Sequence, residues 1–455
     1  MISIDELKQY FQENSAQIQE EYFTFLKFAS ISTDPAYKDD MKKCFKWLQK
    51  LIEDMGFTVE EWPTNGHPVL FAENMSAGPD KPTVMIYQHY DVQPVDPLEL
   101  WDTPPFDPQI RDGEVFARGA QDNKGQCFYS LMALRALISK GALPVNIKLC
   151  IEGEEEIGSG GLIEMADSKK DKLKSDHLIV ADLGLQGKGI PTVTLGLRGV
   201  LTMTAVITEG TTDAHSGEHG GILYNPIRAM VELLSKLHDE KGRVAVPHFY
   251  DDVQPLSDED KKILHLDFDE DDYQKKFGAK ALGGEEGFSP LERAWIRPTL
   301  EINGISGGYA GNGFKTVIPS KATAKISCRI VANQHPEKIQ NLVVDFLKRN
   351  VKKGLKLNIE LSETGGFPMR TSATAPIVTA MRQSYEEVFK KPCRAILAGG
   401  SINVVYTLAQ YCNQSTVMMG MGLDDDNIHA PNEHFGWDRF QTGFLIIARV
   451  LQIIA

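Results

Sequence analysis

The sequence predicts an α/β fold, a doubly wound mixed sheet carried by residues 1–198 and 366–455, with an α+β unit inserted at residues 199–365. Three observations lead there. Short apolar runs near residues 84–87, 145–151 and 177–181 read as strands buried on both faces, and each ends in histidine or acid, as the ligand-bearing strand ends of open α/β sheets do. Between residues 199 and 365 the apolar positions instead alternate singly, the pattern of strands with one solvated face. Beyond Gly366 helical and buried-strand patterns return, so one unit interrupts the other.

Taken in order, residues 4–29 and 38–55 are predicted helices. The second places Met41, Cys44, Phe45, Leu48, Leu51, Ile52 and Met55 on one face, with Gly56 as its stop. Strands follow at 57–62, 69–73, 82–87 and 114–117. The third belongs to TVMIYQHYDVQP (83–94), where the apolar run gives way to His89 and Asp91. His89 is a candidate metal ligand, and Asp91 has the chemistry to accept the second ring N–H and fix the tautomer. ARGAQDNKGQ (117–126) precedes a helix over 128–140. Asp122 or Asn123 suits the N-cap of that helix, and Asp122 equally suits a carboxylate facing the same crevice as His89. The strand at 145–151 ends in EGEEEIGS (152–159). Acidic clusters are commonly solvated helix starts, but adjacent like charges after a buried strand are unfavourable unless a cation or proton relieves them. Asp182 closes the strand at 177–181.

In the inserted unit, strands are expected at 201–208, 299–302, 325–331 and 355–362, and amphipathic helices at 226–237 and 336–348. Residues 250–289 are strongly acidic and are expected to form a solvated helical excursion without a binding role. A helix at 375–389, the AGGSINV turn at 398–404, a strand at 416–421 and a closing helix from 436 complete the chain. DDDNIHAPNEHF (424–435) places His429 in a loop after a buried strand.

With 455 residues the chain has room for two or three domains. A net charge of -14 argues against a nucleic-acid or anionic-membrane surface, since phosphates reward lysine and arginine. The opening MISIDELKQYFQEN lacks the basic and apolar regions of a secretion signal, and the six cysteines lack CxxC spacing, so a cytoplasmic protein with buried thiols is expected. His89, Asp122, Glu155, Glu156, Asp182 and His429 fall at the carboxyl ends of separate strand-type runs. Two imidazoles, several carboxylates and no thiolate suit zinc or manganese, with enough acids to hold two ions and share one ligand. Such a pair clamps a carbonyl oxygen and acidifies water, the chemistry of amide hydrolysis. A serine-hydrolase reading fares worse, because no GxSxG elbow is present and Ser216 and Ser401 have no paired base in view.

QHYDVQP, ARGAQDNKG, EGEEEIGS, VAD, HSGEHGG, KTVIPSKATAKISCRI, GGS and IHAPNE occur in the order found in the M20 family of dinuclear metallopeptidases, and the chain most resembles its dipeptidase, carnosinase-like branch. The resemblance implies that His89 and Asp182 hold one divalent ion, that Glu156 and His429 hold another, and that Asp122 bridges both. It makes Glu155 the general base toward the water between two zinc, or alternatively manganese, ions, and Asp91 the residue that orients His89. Residues 199–365 become a lid and dimerisation domain of a homodimer, with His215 reaching into the partner's site. Arg329 and Thr316 match positions that hold a substrate carboxylate, and Ser401 with Gly400 matches a further contact to it. The activity implied is hydrolysis of dipeptides or short peptides with a free C-terminal carboxylate; an N-acyl-amino-acid deacylase on the same scaffold is the alternative. A metal-binding protein without catalysis is a third reading, and Glu155 speaks against it because a base is not needed to hold metal. Gln88, Gln121 and Asn123 depart from the family pattern, and the two glutamines are expected to narrow the crevice.

Overall fold

The computed structural model describes residues 1–141, 143–362 and 365–455. A nine-stranded mixed sheet forms its centre, in the order Thr58–Trp62, Val69–Asn74, Asn146–Glu152, Thr83–His89, Ser175–Gly184, Cys412–Gly422, Thr192–Leu197 and Met369–Arg370, with Arg394–Ala398 also paired to Thr192–Leu197. The four strands from Asn146–Glu152 to Cys412–Gly422 are mutually parallel. Their carboxyl ends therefore meet on one edge, which is where His89, the acids after Glu152, Asp182 and the loop after Gly422 emerge.

Strand periodicity decides what lies on each face. Val84 and Ile86 pack with Phe11, Phe45, Phe128, Ile377 and Phe444, so the helices Ile4–Leu26, Lys38–Asp54, Lys124–Ser139, Pro376–Phe389 and Trp437–Ile453 cover one side. Met85 and Tyr87 pack with Leu162, Val404 and Leu408 on the other. This is the double winding that the apolar runs predicted.

A second, four-stranded antiparallel sheet runs in the order Thr299–Gly307, Lys321–Ile330, Gly199–Thr208 and Lys356–Leu361. Burial alternates strictly along Gly199–Thr208, so that Leu201, Met203, Ala205 and Ile207 meet Met230 and Leu233 of Pro226–Leu234 and Val343 and Leu347 of Pro336–Asn350. The two chain passages linking the sheets bond each other, with Val200 N donating to Gly366 O at 3.0 Å and Gly366 N to Val200 O at 2.9 Å.

Three expectations need correction. The helix placed at 128 begins at Lys124, because this lysine is buried and its ammonium donates to Phe25 O (3.1 Å) and Phe28 O (2.6 Å) at the end of the first helix. Thr192–Leu197 is a fully buried strand where none was expected, since its threonines and Gly196 break the apolar run that marks the others. The acidic excursion is not wholly solvated: Leu256 and Leu264 are buried, and His265 N bonds Ala395 O of the large sheet at 2.8 Å. Among the described residues no helix is long and apolar enough to cross a membrane.

Candidate metal centre

Asp122 sits between two imidazoles. Its Oδ1 lies 3.2 Å from His89 Nε2 and its Oδ2 lies 3.0 Å from His429 Nε2. Asp182 Oδ1 stands 3.5 Å from His89 Nε2, and Glu156 Oε2 stands 3.3 Å from His429 Nε2. Two ligand groups result, His89 with Asp122 and Asp182, and His429 with Asp122 and Glu156, and Asp122 belongs to both. Glu155 Oε2 is 4.0 Å from His89 Nε2, beside the groups and not enclosed by either. Asp122, Glu155, Asp182 and His429 line a cleft of about 490 Å³ that also exposes Gln121 and Ser401.

The surroundings fix these side chains. Gly125 follows Asp122 by three residues, and a Cβ there would fall 2.1 Å from Ala120 O, which itself accepts the Tyr22 hydroxyl at 2.6 Å. His89 Nδ1 faces both the carbonyl of Asp91 (3.1 Å) and its carboxylate (3.3 Å). That carboxylate also accepts the N–H groups of Glu155 (3.3 Å) and Glu156 (3.1 Å), so one buried acid holds a ring and the turn opposite it. Asn123 Nδ2 donates to Asp182 Oδ1 at 2.5 Å.

Charge explains the proton balance. Burial of His89 favours its neutral form, but Asp182, Asp122 and Asp91 outweigh burial and hold its pKa well above the ordinary imidazole value. Hydrogen bonds to Asp122 and Glu156 raise His429 to about 10. Asp122 is buried, yet the two imidazoles keep its carboxyl below the usual range. Burial raises Glu155, Glu156 and Asp182, and their mutual repulsion with Asp122 adds to it. Such a crowd of acids calls for positive charge, and Glu156 Oε1 is buried without a hydrogen-bond partner among the described residues. Imidazole and carboxylate donors in this number fit a pair of divalent ions.

The model of peptidase family M20/M25/M40 matches residues 85–453. The chain belongs to that family. It is 32% identical to the Beta-Ala-His dipeptidase of Rattus norvegicus, over 85% of this chain and 80% of the relative. It is 27% identical to the Cys-Gly metallodipeptidase dug1 of Schizosaccharomyces pombe, over 100% of this chain and 99% of that one. Among solved structures, an M20 family metallo-carboxypeptidase from Sulfolobus solfataricus superposes with a TM-score of 0.82 at 32% identity, covering 96% of this chain and 99% of that one.

The other residues singled out in this M20 chain fall into two places. Arg329 Nη1 donates to Ser401 Oγ at 3.0 Å at the cleft wall. His215 and Thr316 are exposed and lie together on a small ladder in which Ala214–His215 pairs with Val317–Ile318 and Ser216 N bonds Thr316 O at 3.0 Å. His215 Nδ1 accepts from Gly217 N at 2.9 Å, and neither residue lines the cleft of its own chain. Gln121 does line the cleft. Gln88 does not narrow it: its Nε2 donates to Gln126 O and Ser130 Oγ, both at 2.9 Å, inside the helix layer, because it sits on the opposite side of its strand.

Sequence reasoning missed three supports. Glu433 is wholly buried and takes the N–H groups of Gly119, Gln121 and Asp122 (2.8, 2.9 and 3.0 Å) together with Arg118 Nη1 (2.8 Å), so it shapes the loop that presents Asp122. Its place in IHAPNE, four residues after His429, was the available signal. Gln93 Nε2 donates to Glu156 Oε2 at 2.7 Å. Arg439 grips Asp426 through two 2.6 Å bonds and Glu114 through one of 2.9 Å, which ties the His429 loop to the closing helix. Glu114, Asp426 and His434 form a third group of ligand type, and Arg439 already supplies its cation.

Two outcomes are expected. Glu433→Ala strands the buried Arg118 guanidinium and should lower unfolding stability by about 3–5 kcal/mol in urea titrations, whereas a surface exchange such as Asp171→Ala should change it little. Because His429 is protonated below a pKa of about 10, an ion that replaces its proton binds more tightly as pH rises. Calorimetric titration of the ion-free chain with Mn²⁺ from pH 6 to pH 8 should show proton release and about tenfold higher affinity per pH unit for each proton displaced.

Proposed function

We propose that this chain is a metal-dependent dipeptidase that cleaves the amide bond of dipeptides or short peptides bearing a free C-terminal carboxylate. The observation that carries the reading is Asp122, one oxygen toward each histidine, with Glu155 beside it in an open cleft. On this reading His89 and Asp182 hold one ion, Glu156 and His429 the other, and Asp122 both; zinc or manganese suits these donors. Ions held there would supply Lewis acidity toward the scissile carbonyl and toward the attacking water.

The chain's own groups do the rest. Glu155, raised by burial and by its acidic neighbours, takes the proton of the attacking water and returns it to the leaving amine. Asp91 keeps the His89 ring in one tautomer and the Glu155–Glu156 turn in place. Arg329, with Ser401, holds the substrate carboxylate at the cleft wall. The relatives named for dipeptide substrates support this substrate class.

Residues 199–365 serve as the lid and dimerisation domain. His215 and Thr316 stand exposed together, away from their own cleft, as residues that complete a partner's site would. Thr299–Gly307 is an edge strand with Ile302 and Ile305 exposed, a surface suited to a second copy. The six unpaired cysteines accord with a cytoplasmic enzyme.

Glu155→Gln should reduce kcat on dipeptides by at least about a hundredfold while two ions remain bound by elemental analysis. Hydrolysis of N-acyl amino acids but no dipeptide by the metal-replete protein would transfer the assignment to a deacylase. His215→Ala and Glu155→Ala chains, each inactive, should regain activity when unfolded and refolded together. No recovery in verified mixed dimers would place His215 outside the partner's site.

A further inference from the structure

Arg198 is the residue at which the chain leaves one sheet for the other, between the strands Thr192–Leu197 and Gly199–Thr208. It grips three consecutive residues of the AGGSINV turn. Its N–H donates to Gly400 O at 3.1 Å, its Nε donates to Gly399 O at 3.2 Å, and its carbonyl accepts the Ser401 hydroxyl at 2.5 Å. The far end of the guanidinium reaches the other sheet, with Nη1 3.4 Å from Thr299 Oγ1. Arg329 closes the arrangement from that sheet by donating to Ser401 Oγ at 3.0 Å. Ser401 is thus fixed by the backbone of one arginine and the side chain of another, and it faces the cleft that holds Asp122.

The electrostatics point the same way. Both arginines are half-buried, and neither forms a salt bridge among the described residues. Burial, and after it the neighbouring Arg329 charge, lowers Arg198 to about 10, with Glu301 acting in the opposite sense. Two guanidiniums held near each other, with no carboxylate bonded to either among the described residues, constitute a local positive field beside the wall of the cleft. Gly399 leaves room for it, since a Cβ at that position would lie 3.1 Å from Arg198 Nη2.

We propose that Arg198 is a positioning residue for substrate recognition: it sets the Gly399–Gly400–Ser401 turn and adds the second positive charge that draws a substrate's terminal carboxylate to the Arg329–Ser401 pair. The inference rests on the dipeptidase reading above. Loss of Arg198 affects carboxylate capture, and the proton transfers at Glu155 proceed as before.

The test compares a dipeptide with its C-terminal amide, as substrate and as competitive inhibitor, on wild-type, Arg198→Met and Arg198→Lys enzymes of verified ion content. Arg198→Met should raise KM for the free acid by about tenfold or more, as removal of one of two nearby positive charges from a partly buried carboxylate site would, with kcat within about threefold. The amide's KM or inhibition constant should move by less than about threefold, and Arg198→Lys, which keeps the charge, should recover part of the loss. Should Arg198→Met fail to fold, Gly399→Ala, which crowds the guanidinium and leaves Arg198 in place, should raise KM for the acid selectively. Equal losses on acid and amide, or a fall confined to kcat, would overturn the proposal. A wild-type enzyme that hydrolyses no dipeptide removes the dipeptidase reading itself, and the inference with it. Wild-type activity with unchanged selectivity in both variants removes the inference alone.

Discussion

Everything in this structure is arranged around acids crowded against two imidazoles. Asp122, Asp182, Glu155 and Glu156 meet at one end of the large sheet, and several are driven toward their protonated forms by burial and by one another. Like charges at such distances repel strongly where water is scarce. Their convergence calls for compensating positive charge: the acids raise the pKa of both His89 and His429, and on our proposal divalent ions supply that charge in the working enzyme.

The scaffold meets this demand with rigid backbone positions and buried polar anchors. Parallel pairing of four strands brings their carboxyl ends to one edge, so side chains far apart in sequence converge without long flexible loops. Around them, Glu433 organises the Asp122 loop, Asp91 joins His89 to the Glu155–Glu156 turn, and Gln93 and Asn123 steady Glu156 and Asp182. Each anchor is a charged or amide group with several partners, which restricts a ligand more than a single bond does. The two arginines at the junction of the sheets apply the same principle at the cleft wall, where Arg198 and Arg329 both bond the turn that carries Ser401.

Much of this was legible in the sequence, for definable reasons. The strand bearing His89 announced itself because both of its faces are buried, which leaves an unbroken apolar run before the polar residues. Gly199–Thr208 was equally plain because only one of its faces is buried. His89, Asp122, Glu156, Asp182 and His429 stood out as the polar ends of separate strand-type runs, and the ordered motifs supplied their pairing, since no local pattern reports that residues 89 and 429 approach a common carboxylate. Polar residues whose partners are distant stayed hidden. The sequence does not show that Lys124 reaches the carbonyls of Phe25 and Phe28, that three N–H groups converge on Glu433, or that Arg198 bonds the turn at Gly399. Lys276 of the acidic excursion reaches the cleft wall and pairs with Asp424 at 2.6 Å, a contact that composition alone could not disclose.

Anomalous diffraction from crystals soaked in zinc or manganese, recorded at the absorption edge, would show whether one carboxylate is shared between two cation positions. Two peaks are expected roughly 3.5–4 Å apart, one against His89 and one against His429, with Asp122 between them. A single peak, or two peaks that do not share Asp122, would contradict that sharing.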